Sequence, residues 1–520
     1  MRVNISIGGT GARVTEAFVF TAAMGLPESY GNNEYVFYNI DKDIACGNTR
    51  RMIDTVGNYV RMKKAIGDIP GCMNSKLRIS DWSVESFMEE LTPGKYVADN
   101  ATYRNLAQPN TADGIIFDMF HSKTEQGNNL RDGFYGCPNL GAPLFKLMTG
   151  TEAFADDSNN ELFGDIVRYM DAHPGESLEF VITGSIFGGT GASIFPSMGV
   201  RLRERFPQAK IHGLLMLPYF SYGDTGRRQD DERDTIAWQQ FRNKTATALE
   251  YYGGMKDLVQ HGNDETKPYI FNSIKLVGSQ KLHKSCERNV PGGVDQLHRF
   301  LYHDLFAARG IKQAYERDSA GEERGANIYA DASCNVIGPT ELGTEEAKKL
   351  RIFTEFAFAV RAYLYPLLHS PGIESDDLLT KPFGKIKGGK CRVDIDELRR
   401  MADACVRFTD DYVKFILNIH SDLDHVDDGL DEVRLINYKG LKQMYESLTK
   451  LSDTMVGTNA ATDLKRIEDM RISLWDGGHV HRPDIYVKAW HNLKGKKGAN
   501  AEECFKAIVS TFYNETCKQY

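Results

Sequence analysis

Two short runs carry the residues best suited to holding an anion. Val3-Asn-Ile-Ser-Ile-Gly-Gly-Thr-Gly-Ala12 and Phe180-Val-Ile-Thr-Gly-Ser-Ile-Phe-Gly-Gly-Thr-Gly-Ala-Ser193 each pass from an apolar stretch into Gly-Gly-Thr-Gly-Ala and then into a helix-forming segment. Without Cβ atoms, Gly8, Gly9 and Gly11 in the first box and Gly188, Gly189 and Gly191 in the second leave backbone N–H groups open to anionic oxygens. The helix that follows each box adds unpaired donors and the positive end of its dipole. Thr10 and Thr190 contribute hydroxyls, and Ala12 and Ala192 close each box. The chemistry expected of this pattern is phosphate binding; the plain alternative is a pair of tight turns in an α/β sheet.

Other chemistries fit less well. A dinucleotide fingerprint would need glycine where Val14 and Ile194 stand, and neither box supplies the lysine of a P-loop. Gly184-Ser185-Ile186 does not complete a nucleophile elbow. His479 and His481, flanked by Asp476 and Asp484, lack a fixed metal-site spacing, so no metal ligands are assigned.

The elements that must position the boxes follow from apolar patterning. Strands are expected at Val3–Ile7, Tyr35–Asn39, Glu179–Thr183, Ile211–Leu217 and Tyr269–Val277, alternating with amphipathic helices: an α/β fold, a parallel sheet with helices on both faces. In such a sheet the ligand crevice lies at the carboxyl ends of the strands, where Asp41 and Asp43 could hold Mg²⁺ or meet a ribose hydroxyl. Helices are expected at Asp230–Tyr252 and at Gly293–Tyr315, the latter placing Leu297, Leu301, Leu305 and Ala308 on one face. Past the turn-prone Asp318–Ala326 the chain reads as mainly helical, at Glu345–Leu368, Asp394–His420, Tyr438–Asp453 and Ala501–Thr516. Only Asn327–Ala332 and Ile472–Leu474 suggest strands there. The expected organisation is a nucleotide domain over 1–292, a connecting helix over 293–317 and a helical region over 318–520.

With these segments in order, the chain resembles the tubulin/FtsZ superfamily, in a divergent prokaryotic or phage branch. Phe187-Gly-Gly-Thr-Gly-Ala-Ser193 is similar to its signature loop, although Ala192 and Ser193 replace Ser/Thr and Gly. Gly8–Ala12, Glu34-Tyr-Val-Phe-Tyr-Asn-Ile-Asp-Lys-Asp43, Gly136-Cys-Pro-Asn-Leu-Gly-Ala-Pro143 and Ile211-His-Gly-Leu-Leu-Met-Leu-Pro-Tyr-Phe220 look like its other nucleotide loops. The resemblance implies GTP or GDP with Mg²⁺, phosphates held by the two boxes, and Asp41, Asn139 and Gly141 on the flanking loops. It implies guanine recognition by Asn243 and Asn289. It also implies head-to-tail self-assembly into filaments, with an accessory protein as a further partner. GTP hydrolysis would occur at the subunit junction, through Asp331 with Asn327, and with Glu322 or Glu323 in reserve. Gly325-Ala-Asn-Ile-Tyr-Ala-Asp331 departs from the family spacing Gly-x-x-Asn-x-Asp-x-x-Asp. The second reading is a non-polymerising guanine-nucleotide sensor that binds a partner protein.

Composition narrows the setting. The 520 residues are 41% hydrophobic and 26% charged, enough for more than one domain. Nine cysteines without Cys-x-x-Cys spacing, and an N-terminus that enters a strand at once, lead to the expectation of a cytoplasmic protein. Glu355 and Arg361 interrupt the long apolar stretch Ile352–Leu368, which reads as a buried helix and not a membrane span. A net charge of −8 gives no general attraction to nucleic acid, and Lys494-Gly-Lys-Lys-Gly498 reads as a solvated basic loop.

Overall fold

The structure, a computed structural model, describes residues 1–26, 34–43, 46–91, most of 93–131, 133–134, 138–141, 145, 162–218, 220–222, 239–254, 258, 269–278, 283–286, 327–330, 344–423 and 484–520, with single positions in 304–315 and 440–446. In chain order these form β1 (Arg2–Ile7), α1 (Gly8–Ala23), β2 (Glu34–Ile40), α2 (Gly47–Ile66), β3 (Lys76–Ile79), α3 (Val84–Leu91), α4 (Ala112–Phe120), α5 (Lys123–Gly127) and α6 (Gly164–Ala172). Then come β4 (Glu179–Ser185), α7 (Gly189–Arg205), β5 (Lys210–Met216), β6 (Phe220–Tyr222), α8 (Gln239–Gly254), β7 (Ser273–Gly278), β8 (His283–Cys286) and β9 (Asn327–Ala330). The remainder is helical: α9 (Thr344–Ala359), α10 (Tyr365–His369), α11 (Asp377–Phe383), α12 (Ile395–Leu423), α13 (Asp484–His491) and α14 (Ala501–Cys517).

Seven strands make one parallel sheet in the order β3-β2-β1-β4-β5-β7-β9. Its central strands are buried along their length, as expected where helices cover both faces of a parallel sheet. The alternation of side chains assigns the faces. Tyr35 and Phe37 of β2 meet Phe18 of α1, whereas Tyr38 meets Phe163 beside α6 on the other side. In β5, Gly213 lies under Phe195 of α7, while Leu214 lies against Gly310. α1 and the helical positions of 304–315 therefore share one face, and α6 and α7 the other. Arg2 of β1 stacks on both Tyr35 and Tyr315, 5.6 and 5.4 Å from the ring centroids, and so ties the 304–315 segment to the sheet.

The described part of the expected Gly293–Tyr315 helix is helical at 304, 307, 308, 310–312, 314 and 315; Leu297, Leu301 and Leu305 lie outside the described residues. α8 is described from Gln239, the last expected strand begins at Ser273 and not Tyr269, and β3 and α2 were not anticipated. Asn327–Ala330 does form a strand, but it adds to the edge of the main sheet beside β7 and not to a separate C-terminal sheet. Ile472–Leu474, Asp476, His479 and His481 lie outside the described residues.

The C-terminal helices pack directly on α1 and α2. Phe408, Tyr412 and Phe415 of α12 surround Phe20 of α1, and Phe408 also meets Tyr59 of α2. Between α9 and α10 the backbone widens into a π turn over Val360–Leu364, where the Tyr365 N–H donates to the Val360 carbonyl. Pro366 explains the widening: it has no N–H, and its ring would crowd the carbonyl four residues back in a regular helix. Glu355 within this stretch is fully buried and accepts a 2.5 Å hydrogen bond from the Tyr520 hydroxyl. Among the described residues no helix is long and apolar enough to cross a membrane.

Candidate phosphate-binding site

The sheet order reverses at β1: β2 lies on one side and β4 on the other, so the loops leaving β1 and β4 diverge and open a crevice at their carboxyl ends. Both glycine boxes occupy that crevice. α1 begins at Gly8, directly after β1, and α7 begins at Gly189, just past the end of β4. Their N-caps are Ile7 and Gly188, and no side chain caps either helix. Two helix N-termini thus point their first-turn N–H groups and positive dipole ends into one space.

The glycines do two different jobs. Gly8 has φ +68°, and a Cβ there would stand 3.2 Å from Thr190 Cβ and 3.8 Å from the Gly191 nitrogen. It is the point where the two boxes touch. Gly11 and Gly191 instead seat helices on strand ends, since a Cβ on Gly11 would meet the Thr183 carbonyl oxygen at 2.5 Å and one on Gly191 the Ser185 nitrogen at 2.7 Å. Two further loops close in. A Cβ on Gly9 would lie 2.9 Å from Cys46 Sγ and 3.3 Å from Asn48 Nδ2, and one on Gly141 would run into Ser193 Oγ. Ser193 Oγ donates to the Thr190 carbonyl at 3.0 Å, fixing the first turn of α7.

Asp41, just past β2, is buried and accepts from the Asp43 N–H at 3.3 Å and the Thr49 hydroxyl at 3.4 Å. Burial first, and then the charge of Asp43, push its carboxyl from an ordinary 3.8 up to about 7, while hydrogen bonds from Asp43 and Cys46 oppose the rise. Burial and the Asp41 charge push the Cys46 thiol up to about 12, so it stays protonated. Lys42 turns the other way. Its ammonium donates to the Leu130 carbonyl at 2.9 Å and lies 4.8 Å from the ring centroids of both Tyr103 and Phe134. The β2 loop is therefore anchored to the 101–134 region on one side and to the first glycine box on the other.

The raised carboxyl makes a pH prediction. The folded chain keeps a proton on Asp41 that the unfolded chain releases, so Asp41 favours folding fully below about pH 4, and that contribution is lost as pH rises to about 7. Asp41→Asn should therefore leave the melting temperature little changed at the acid end and raise it by several degrees above pH 7. Melting curves of both proteins across this range, without nucleotide or divalent cation, check it; a difference independent of pH would refute the buried-carboxyl account.

Of the residues expected from sequence, Gly8, Gly9, Thr10, Gly11, Ala12, Asp41, Gly141, Gly188, Gly189, Thr190, Gly191 and Ala192 gather around the crevice. Asn139 is exposed at its margin and donates to Glu125 Oε1 at 3.1 Å. Asn243 is exposed on α8; that helix reaches the second box through Tyr252, whose hydroxyl donates to the Ala192 carbonyl at 3.3 Å. Nine residues separate Asn243 from Tyr252, about 13 Å along a helix. Asn327 opens β9, four strands from β1 and so roughly 19 Å across the sheet. Asn289, Asp331, Glu322 and Glu323 lie outside the described residues. Among the described residues no group of three or more His, Cys, Asp or Glu side chains is arranged to hold a metal ion by itself.

Sequence reasoning missed Lys42, Cys46 and Asn48, and it missed Arg13. Arg13 Nε lies 3.0 Å from the carboxylate of Asp304, and both side chains are buried. Lys42 stood between two aspartates already singled out, a signal available in the sequence; the Arg13 pairing, across 291 residues, had none. No family model matches this chain, and no curated protein matches it.

Proposed function

We propose that this chain binds the phosphates of a guanine nucleotide between its two glycine boxes and self-assembles head-to-tail as a tubulin/FtsZ-like protein. The observation that carries the reading is the convergence of two uncapped helix N-termini, bearing the same box, at the switch point of a parallel sheet. One helix N-terminus suits one anionic group; two facing each other suit a polyphosphate.

Mg²⁺ fits the donor set. Asp41, Asp43 and the Thr49 hydroxyl are hard oxygen donors, and a cation would displace the proton that burial keeps on Asp41. With too few side chains for a closed cage, the ion would also need phosphate oxygens and water. The choice of guanine, with Asn243 and Asn289 as its contacts, rests on the resemblance. Asn327 is too distant to touch phosphates held between β1 and β4 of its own chain. Its part in hydrolysis, with Asp331, therefore requires the nucleotide of a neighbouring subunit, as head-to-tail stacking supplies; such heterologous contacts extend into filaments unless rotation closes them.

The test follows phosphate release and pelleting against protein concentration, with GTP, GDP, ATP and a slowly hydrolysed GTP analogue. Release that rises cooperatively with concentration, GTP-dependent pelleting and loss of turnover in Asp331→Ala are expected. Tight GTP binding with neither pelleting nor turnover would establish the sensor instead, and the absence of any guanine preference would end the tubulin-like assignment.

A further inference from the structure

Two basic segments distant in sequence become neighbours in the C-terminal half. After α11 the chain turns back through a hairpin over residues 384–392. The Arg392 N–H donates to the Gly384 carbonyl at 3.1 Å and the Ile386 N–H to the Lys390 carbonyl at 2.9 Å; Gly388 and Gly389 form the turn at φ 104° and 84°. Lys385 and Cys391 pair across the hairpin; Cys391 is buried, while the Lys385 side chain is exposed. Lys385 is neutralised there by Asp377 at 3.2 Å, which also pairs with Lys381. Strand alternation puts Ile386, Lys390 and Arg392 on the opposite face, where all three are exposed, and Lys387 at the exposed turn.

The loop 494–498 packs beside this hairpin. A Cβ on Gly495 would lie 2.5 Å from Phe383 Cε1 and 2.7 Å from the Pro382 carbonyl oxygen, and one on Gly498 would lie 3.8 Å from Arg392 Nη1. That contact sets Lys494, Lys496 and Lys497, all exposed, beside the hairpin's outer face. Among the described residues Lys387, Lys390, Arg392, Lys494, Lys496 and Lys497 have no ion-pair partner, in a chain whose net charge is −8. Ile386, 46% exposed, stands among them.

We propose that this face docks on an anionic lipid surface. Each basic residue close to such a surface adds about a factor of five in affinity, so six charges suffice for reversible attachment. The isoleucine decides between polyanions. A branched apolar side chain ringed by lysines matches the boundary between headgroups and acyl chains. A phosphodiester backbone needs only the cations, and single strands are held by stacked aromatic rings, of which the hairpin and the loop have none.

The experiment pellets the full chain with vesicles of phosphatidylcholine containing about one third phosphatidylglycerol, and with phosphatidylcholine alone, beside a gel-shift titration with duplex DNA. Binding to the anionic vesicles only, weakened by raising salt, is expected. The quadruple variant K390Q/R392Q/K496Q/K497Q should lose about two to three orders of magnitude in vesicle affinity, and K496Q/K497Q alone about one. Ile386→Ser should weaken vesicle binding with the melting temperature unchanged. The proposal is overturned if the chain ignores anionic vesicles, if it binds DNA in preference to them, or if the quadruple variant pellets as the parent does.

Discussion

If the two glycine boxes hold a nucleotide as proposed, Gly8→Ala should abolish its binding while leaving most of the fold, and Gly11→Ala should do the reverse. At Gly8 the backbone has φ +68°, a conformation that costs an alanine about 1–2 kcal/mol, and the new methyl would sit 3.2 Å from Thr190 Cβ. The neighbour it displaces is the other box. Because the proposed phosphate site is defined by the approach of the two boxes, a shift of a few tenths of an ångström would spoil the convergence of donors. Affinity for GTP should drop by two or more orders of magnitude, about 3 kcal/mol. At Gly11 the methyl would meet the Thr183 carbonyl oxygen at 2.5 Å, a backbone atom in the central strand β4 that cannot yield without moving the sheet. The loss there should be chiefly in stability, several kcal/mol, with α1 lifted from β1 and β4. Thermal unfolding together with nucleotide titration of both variants separates these outcomes. If the two lost stability and affinity in equal proportion, the division of labour between the glycines would be wrong.

The boxes were legible in the sequence because their signal is local: an apolar strand, glycines and a helix follow one another within about fifteen residues. The same locality made the central strands and the long C-terminal helices readable. What escaped depends on distance. β3 is four residues with Lys76 and Arg78 in it, and it belongs to the sheet only because β2 offers an open edge and Glu34 and Asp165 meet Arg78 at 3.7 and 3.3 Å. Asn327–Ala330 has a readable strand pattern, yet nothing in it says that it will lie beside β7. The lysine run at 494–498 looks like an isolated solvated loop until Gly495 is seen against Phe383. The proposed guanine contact gains no support from the fold, since Asn243 is exposed on α8, well along that helix from Tyr252, the residue that contacts the second box.

Arg13 and Asp304 carry the second large effect. Arg13 stands two positions past Gly11, on the first turns of the helix that starts in the first glycine box, and Asp304 begins the described part of the helical segment that leads to Tyr315. The pair holds these two elements together on one face of the sheet, with its charges 3.0 Å apart and side-chain exposures of 8% and 0%. In such surroundings removing one partner is far more costly than never having had the pair, because the remaining charge keeps its burial and loses its opposite. Asp304→Ala should therefore cost about 3–5 kcal/mol of stability, and Asp304→Asn less, since it retains an acceptor for Nε. Replacing both residues by apolar ones of similar volume, Arg13→Met with Asp304→Leu, should recover most of that loss. Denaturant unfolding of Arg13→Met, Asp304→Leu and the double variant, beside the parent, forms a thermodynamic cycle, with an expected coupling of about 2–3 kcal/mol. GTP titration of the same set then reports on transmission: if the pair links the first glycine box to the 304–315 segment, the double variant regains stability while added nucleotide no longer protects Tyr315 and its neighbours from hydrogen exchange. Additive losses in the cycle would mean that each side chain is held independently and that the two elements are not coupled through this contact.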